Sequence, residues 1–318
     1  MQLVDRLAKT TMQVLPGGVV FPDGFGDPDH LDLLGIAADP TESIPELEVR
    51  WSPPVEAGAE RLSLGTFVSP WADLLPDAAA TGMVELVEPV GGARRLVVLL
   101  PAWGHEDFAG RRQLARLLAG RGIAAASLMV AFYGPRRAHP NGLPLRTVGE
   151  FALQAHVTER ETRALLAGFR ETHEVGVAGF SMGAGYTVAT SVLLPWPAAT
   201  TPLAAAPSPA RTFTREILGA RLADRFDEAA RQRLFELLDT PSALHSEPLP
   251  HHAAAVLVTA EEDGFVVSEE AHVLHAHWPG SELRVLPGGH ATMWFLRKPA
   301  LADAIAHTFD RTWGTPTS

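Results

Sequence analysis

Residues 174–183 read EVGVAGFSMG, an apolar run of strand type that ends in Gly179-Phe180-Ser181-Met182-Gly183 and gives way to a helical pattern over 182–194. The G-x-S-x-G spacing matters because of where it falls. A serine hydroxyl is a poor nucleophile until a base takes its proton, and a sharp strand–turn–helix flanked by glycines pushes its oxygen outward with a helix N-terminus behind it. Ser181 is therefore the candidate nucleophile, and the segment is a strand feeding a helix.

The same unit repeats on both sides. Upstream, short strand-type runs occupy 61–68 (RLSLGTFV), 83–89 (MVELVEP) and 94–101 (RRLVVLLP), the last continuous enough to be buried on both faces. A helical stretch near 108–120 leads to IAAASLMV (123–130), and a longer one over 147–172 leads to the quoted strand. Downstream come a strand at 201–206, AAVLVTA (254–260), a helix near 268–277, ELRVLP (282–287) and a helix over 292–313. Strand–helix alternation predicts an α/β fold with a mostly parallel sheet and helices on both faces. Residues 211–247, helical and charged with turn signals at Pro241 and Pro248, interrupt it and read as a helical cap insertion. The Pro-, Gly- and Asp-rich first 60 residues read as an irregular arm. The expected division is an arm over 1–60, a core over 61–210 and 248–318, and a cap over 211–247.

A base and an orienting acid should come after the serine in the order acid, histidine, each at the carboxyl end of a strand. Asp263 follows the 254–260 strand and His290 follows the 282–287 strand in LPGGH. Glu261 and Glu262 are rivals for the acid; Asp263 is preferred because Gly264 allows a sharp loop. Donors for a tetrahedral oxyanion are expected from the main-chain N–H of Met182 and, from the loop after the 94–101 strand, of Trp103, with Ala102 as its neighbour. Phe132, Tyr133, Arg136 and Trp294 are candidate substrate contacts, although for Arg136 and Arg137 a structural ion pair that ties loops is the preferred reading. Phe213, Leu218, Phe226, Leu234 and Phe235 in the cap are pocket or core residues.

Composition narrows the classes. With 26 Lys plus Arg against 37 Asp plus Glu, the net charge is −11, which disfavours nucleic acid and anionic membrane as partners. The absence of Cys removes thiolate nucleophiles, disulfides and Cys-ligated metal centres. Only Lys9 and Lys298 are lysines, and neither sits in a P-loop. His105, Glu106 and Asp107 are consecutive and do not converge on one point, so capping of the next helix is a better reading than metal; His272, His275 and His277 read as a solvated helix face. No metal and no cofactor is expected. Charges at Asp5, Arg6 and Lys9 interrupt any apolar leader, and no run matches a membrane helix, so a cytoplasmic location is expected.

Several stretches together are similar to one family. These are GTFVSP (65–70), GRRQLAR (110–116), ASLMVAFYGPRR (126–137), GFSMG (179–183), LPWPAATTPL (194–203), EEDGFV (261–266) and HWPGSELRVLPGGH (277–290). In order and spacing they resemble the α/β-hydrolase superfamily, and within it the α/β-hydrolase domain-containing protein 18 family, over roughly residues 60 to 312. The resemblance implies the α/β-hydrolase fold and Ser181, Asp263 and His290 as a triad. The chain lacks the long polar insertion of animal members and has Ala-Trp where Gly-Thr would precede Gly104. The expected activity is hydrolysis of a carboxylic ester, with lipid-like acyl esters among the candidates, through an acyl-enzyme. The alternatives are a small-peptide or amide hydrolase of the same fold and a non-catalytic binding or scaffold member.

Overall fold

The computed structural model describes residues 19–36 and 39–315. The first 18 residues of the expected arm, with Lys9 and the segment read for a leader, lie outside the described residues. The rest of the arm holds a short helix α1 (Pro28–Asp32) and two short strands, β1 (Arg50–Trp51) and β2 (Val55–Ala57). Both strands pair antiparallel with β3 (Glu60–Val68), so this part of the arm is stitched to the sheet.

The chain then runs through β4 (Thr81–Pro89), β5 (Arg95–Leu100), α2 (Ala109–Ala119), β6 (Ile123–Met129), α3 (Val148–Phe169), β7 (Glu174–Phe180), α4 (Met182–Val192) and β8 (Ala199–Leu203). Between β8 and β9 (Val256–Ala260) lie α5 (Ala210–Thr214) and α6 (Glu228–Asp239), with single 3₁₀ turns at 219–221 and 243–245. After β9 come α7 (Ser268–His277), β10 (Glu282–Leu286), α8 (His290–Leu296) and α9 (Lys298–Trp313). The strands form one sheet in the order β1-β3-β4-β6-β5-β7-β8-β9-β10, antiparallel as far as β6 and parallel from β6 to β10. This is the α/β-hydrolase architecture.

Strand β5 shows why the centre of the sheet is apolar on both sides. Val97 and Leu99 pack with Leu114 of α2 and Phe309 of α9, while Leu96, Val98 and Leu100 face Leu166 of α3 and Tyr186 of α4. All six residues of the strand are buried. β6 lies on one side of β5 and β7 on the other, so the direction of winding reverses there, and the crevice at the carboxyl ends of β5 and β7 is where such sheets place their sites.

Two elements differ from expectation. The strand expected at 201–206 occupies 199–203 because Ala204 leaves the sheet with φ +66°. The single helix expected over 292–313 is two helices, since Pro299 occupies the first turn of α9 and starts a new helix. Helix α3 begins with a Thr147/Glu150 capping box and is buried along most of its 22 residues. The arm lies across it: Arg160 bonds Glu42, and Arg163 donates to the Pro40 and Glu42 carbonyls. Among the described residues no helix is long and apolar enough to cross a membrane.

Candidate active site

Ser181 stands between β7 and α4 with φ +59° and ψ −118°, a left-handed conformation that a non-glycine residue adopts only under constraint. Its N–H donates to the Leu203 carbonyl at 2.8 Å and its own carbonyl accepts from Ala184 at 2.8 Å. The flanking glycines are dictated by space. A Cβ on Gly179 would overlap the Gly183 carbonyl, and one on Gly183 would come within 2.5 Å of the Leu100 carbonyl on β5. The G-x-S-x-G spacing is thus the condition for α4 to turn back over two adjacent strands.

Asp263 and His290 meet above the same edge. Asp263 Oδ2 lies 2.7 Å from His290 Nδ1, while its Oδ1 accepts from the Phe265 and Val266 N–H groups at 2.8 and 2.9 Å. The carboxylate is wholly buried and the imidazole is 11% exposed. Phe180 and Phe265 flank the ring, with centroids at 4.6 and 5.0 Å. The aspartate is aimed by its two main-chain bonds, and Gly264 adopts no left-handed φ there, so the reason differs from the one the sequence suggested. Gly288 does have φ +109° and turns the chain inward before His290. Glu261 and Glu262 are exposed, and their N–H groups tie to Leu286 and Gly288. Ser181 Oγ and His290 are not hydrogen-bonded here; free sites of this kind often close that bond only around substrate.

The loop after β5 separates its donors. Ala102 N–H donates to His105 Nδ1 at 3.3 Å, and Gly104 N–H to the Tyr133 hydroxyl at 3.1 Å. Burial pushes His105 down to about 4, so its ring is neutral at pH 7 and can accept. Burial likewise pushes the Tyr133 hydroxyl well above its ordinary value, keeping it protonated. Trp103 N–H, between the two, donates to no described group.

Ser181 opens into a partly open cavity of about 120 Å³. Trp103, Phe151, Met182, Phe213, Leu218 and Val266 form much of its apolar wall. The expected contacts Phe132, Tyr133, Arg136 and Trp294 do not line it. Phe132 and Tyr133 are buried in the core, the Tyr133 hydroxyl under Gly104, and Trp294 is buried in a stack on Phe180. Arg136 forms a bidentate pair with Glu161, both contacts 2.8 Å and both side chains buried, so it is a structural tie. Of the residues expected in a cap, Phe213 and Leu218 reach the cavity; Phe226 and Leu234 are buried in the neighbouring core, and Phe235 packs under the Arg215 guanidinium.

The wall also contains residues that the sequence did not single out: Ala152, Ala155, His156 and Glu159 on α3, and Gly185, Tyr186 and Ala189 on α4. Their i, i+3, i+4, i+7 spacing was the available signal. His105, Glu106 and Asp107 diverge: Asp107 accepts from Ala109 N–H at the start of α2, and Glu106 pairs with Arg137. His275 and His277 bond Ser281 and the Ser246 carbonyl, and among the described residues no cluster of three or more His, Asp or Glu could hold a metal ion.

Known proteins resemble this chain at two levels, sequence family and fold. The family model described as alpha/beta hydrolase domain containing 18 matches residues 35–249 and 224–311, starting well inside the expected arm. No curated protein matches the sequence. Among solved structures, an acetyl xylan esterase from Paenibacillus sp. R4 is 16% identical with a TM-score of 0.59, over 87% of this chain and 92% of that one. Acetyl xylan esterase 1 from Thermoanaerobacterium sp. JW/SL YS485 is 13% identical with a TM-score of 0.54, over 96% and 99%. A cold-adapted esterase from an Arctic intertidal metagenomic library is 17% identical with a TM-score of 0.52, over 83% and 99%. At these identities the likeness is one of fold.

Proposed function

This chain belongs to the alpha/beta hydrolase domain containing 18 family, and on that footing we propose that it is a serine hydrolase cleaving a carboxylic ester through an acyl-enzyme. The observation that carries the reading is the convergence of a strained Ser181, opening into an apolar cavity, with an Asp263–His290 pair at 2.7 Å on the same sheet edge. Ser181 Oγ attacks the carbonyl carbon while His290 Nε2 takes its proton, and Asp263 fixes the imidazole through Nδ1–H. The charge that develops on the carbonyl oxygen is met by the N–H groups of Met182 and Trp103. Trp103 is favoured over Ala102 because the Ala102 donor is already committed to His105. Collapse of the tetrahedral adduct expels the alcohol with the proton from His290, and water repeats the sequence to release the acid. The apolar wall suits a small-molecule or lipid-like acyl ester.

The test is hydrolysis of p-nitrophenyl esters from acetate to palmitate by wild type and Ser181→Ala at equal concentration, alongside fluorophosphonate labelling. We expect Ser181-dependent turnover, with kcat down by about 10⁴-fold or more in the variant, and labelling confined to Ser181. Turnover that survives Ser181→Ala, or neither turnover nor labelling in the wild type, overturns the reading.

A further inference from the structure

Helix α3 turns Ala152, Ala155, His156, Glu159 and Arg160 to the cavity, while α4 presents Met182, Gly185, Tyr186 and Ala189. The Tyr186 hydroxyl donates to Gln154 Oε1 at 2.7 Å, which pins the two helices side by side. From Met182 to Ala189, and from Ala152 to Glu159, each helix advances about 10 Å at 1.5 Å per residue. Glu159 thus lies on the same wall as the nucleophile, two turns along α3 from Ala152, as Ala189 lies two turns along α4 from Met182.

What sets Glu159 apart is its lack of a partner. It is half-buried and makes no hydrogen bond or ion pair with a described residue. The ionisable groups around it are spoken for. Arg160 Nε and Nη2 bind Glu42, its Nη1 meets His156 Nδ1 at 3.1 Å, Arg163 lies 3.7 Å from Glu42, and Tyr186 is held by Gln154. Burial pushes His156 down to about 4, so it is neutral at pH 7 and contributes no charge. A carboxyl group left open on the wall of an apolar cavity, beside neighbours already satisfied, needs a hydrogen-bond donor from outside the chain.

Resting on the ester-hydrolase reading, we propose that Glu159 is a substrate-binding residue and that the preferred ester carries a primary ammonium group set apart from its scissile carbonyl along this wall. The three N–H donors of an ammonium group and its charge complement a carboxylate that has neither. The state of the free site fits. Desolvation, only partly opposed by the Arg160 charge, pushes Glu159 up to about 7, so an incoming cation is paired by a carboxyl group that releases its proton on binding.

The test compares p-nitrophenyl octanoate with p-nitrophenyl 8-aminooctanoate, and octyl butyrate with 8-aminooctyl butyrate, so that the ammonium group rides on the acyl or the alcohol side. In at least one pair, wild-type kcat/KM at pH 8 favours the ammonium ester by about 10-fold or more, and the preference shrinks at pH 6, where Glu159 holds its proton. Glu159→Gln removes the preference. Equal rates for neutral and ammonium esters in both pairs, or a preference unchanged in Glu159→Gln, overturns the proposal. Calorimetry of n-octylammonium with both proteins separates the two readings: binding lost in Glu159→Gln without turnover of any ester overturns the esterase and leaves the ammonium site standing, while equal binding to both proteins overturns the site.

Discussion

The two ends of the cavity are built on opposite principles. At the Ser181 end the polar groups are fixed by the protein itself: Asp263 Oδ1 by two N–H groups, His290 by Asp263, and the donors on either side of Trp103 by His105 and Tyr133. At the Glu159 end a carboxyl shares its stretch of wall with His156 and Arg160 but makes no hydrogen bond or ion pair. Two residues further along the same helix, Glu161 is locked to Arg136 and buried completely. Chemistry at a reacting centre requires groups held in place before substrate arrives, whereas selection among substrates can rest on a group left unsatisfied until the right one binds.

The sharpest way to break this contrast is at the fixed end. Asp263→Asn keeps size and the acceptor for Phe265 and Val266 but presents a neutral amide to His290. We expect kcat to fall by about 10³–10⁴-fold, with thermal stability changed far less. A fall under tenfold would mean that the pair at 2.7 Å is a structural tie like Arg136–Glu161, and would remove Asp263 from the proposed triad.

Glu161 supplies the next largest effect. Arg136→Ala leaves a carboxylate buried without its partner and also abandons the Ala79 and Met129 carbonyls, so the loss of folding free energy should be about 3–5 kcal/mol by chemical denaturation. Replacing Arg136 and Glu161 together by methionine should recover most of that loss. If Arg136→Ala were instead tolerated within about 1 kcal/mol, burial of a carboxylate on α3 would be cheap, and the isolation of Glu159 would lose its meaning.

The difference between the ends also explains what could be read from residues alone. The elbow is local: close approach of Gly179 and Gly183 to neighbouring backbone writes itself into five consecutive positions, and the alternation of strands and helices then gives the parallel sheet. Asp263 and His290 could be named because strand ends are legible, although the cause assigned to Asp263 was a glycine and the structure supplies an Asx turn. The cavity was not legible. Arg136, Phe132, Tyr133 and Trp294 sit near the right strand ends, yet sequence position says nothing of which way a loop folds, and each turned into the core. Glu159 was hidden in a helix in which 159 and 161 look alike; only the placement of Arg136 tells the paired glutamate from the unpaired one.

The smallest expected effect belongs to that unpaired group in the absence of substrate. Its folded value of about 7 lies above the ordinary 4.5, so the folded protein binds this proton more tightly than the unfolded chain does. The associated stability is fully present below pH 4.5, falls as pH rises through 7, and is constant beyond. Glu159→Gln has no such proton to lose, so the variant's melting temperature should gain on the wild type from pH 4.5 to about 7 and the gap should then hold. A few degrees is the scale for one linked proton in a chain of this length. A gap that is flat with pH would mean that the Glu159 carboxyl is already charged and compensated in the free protein, in which case the two ends of the cavity are alike and substrate selection must be sought elsewhere on its wall.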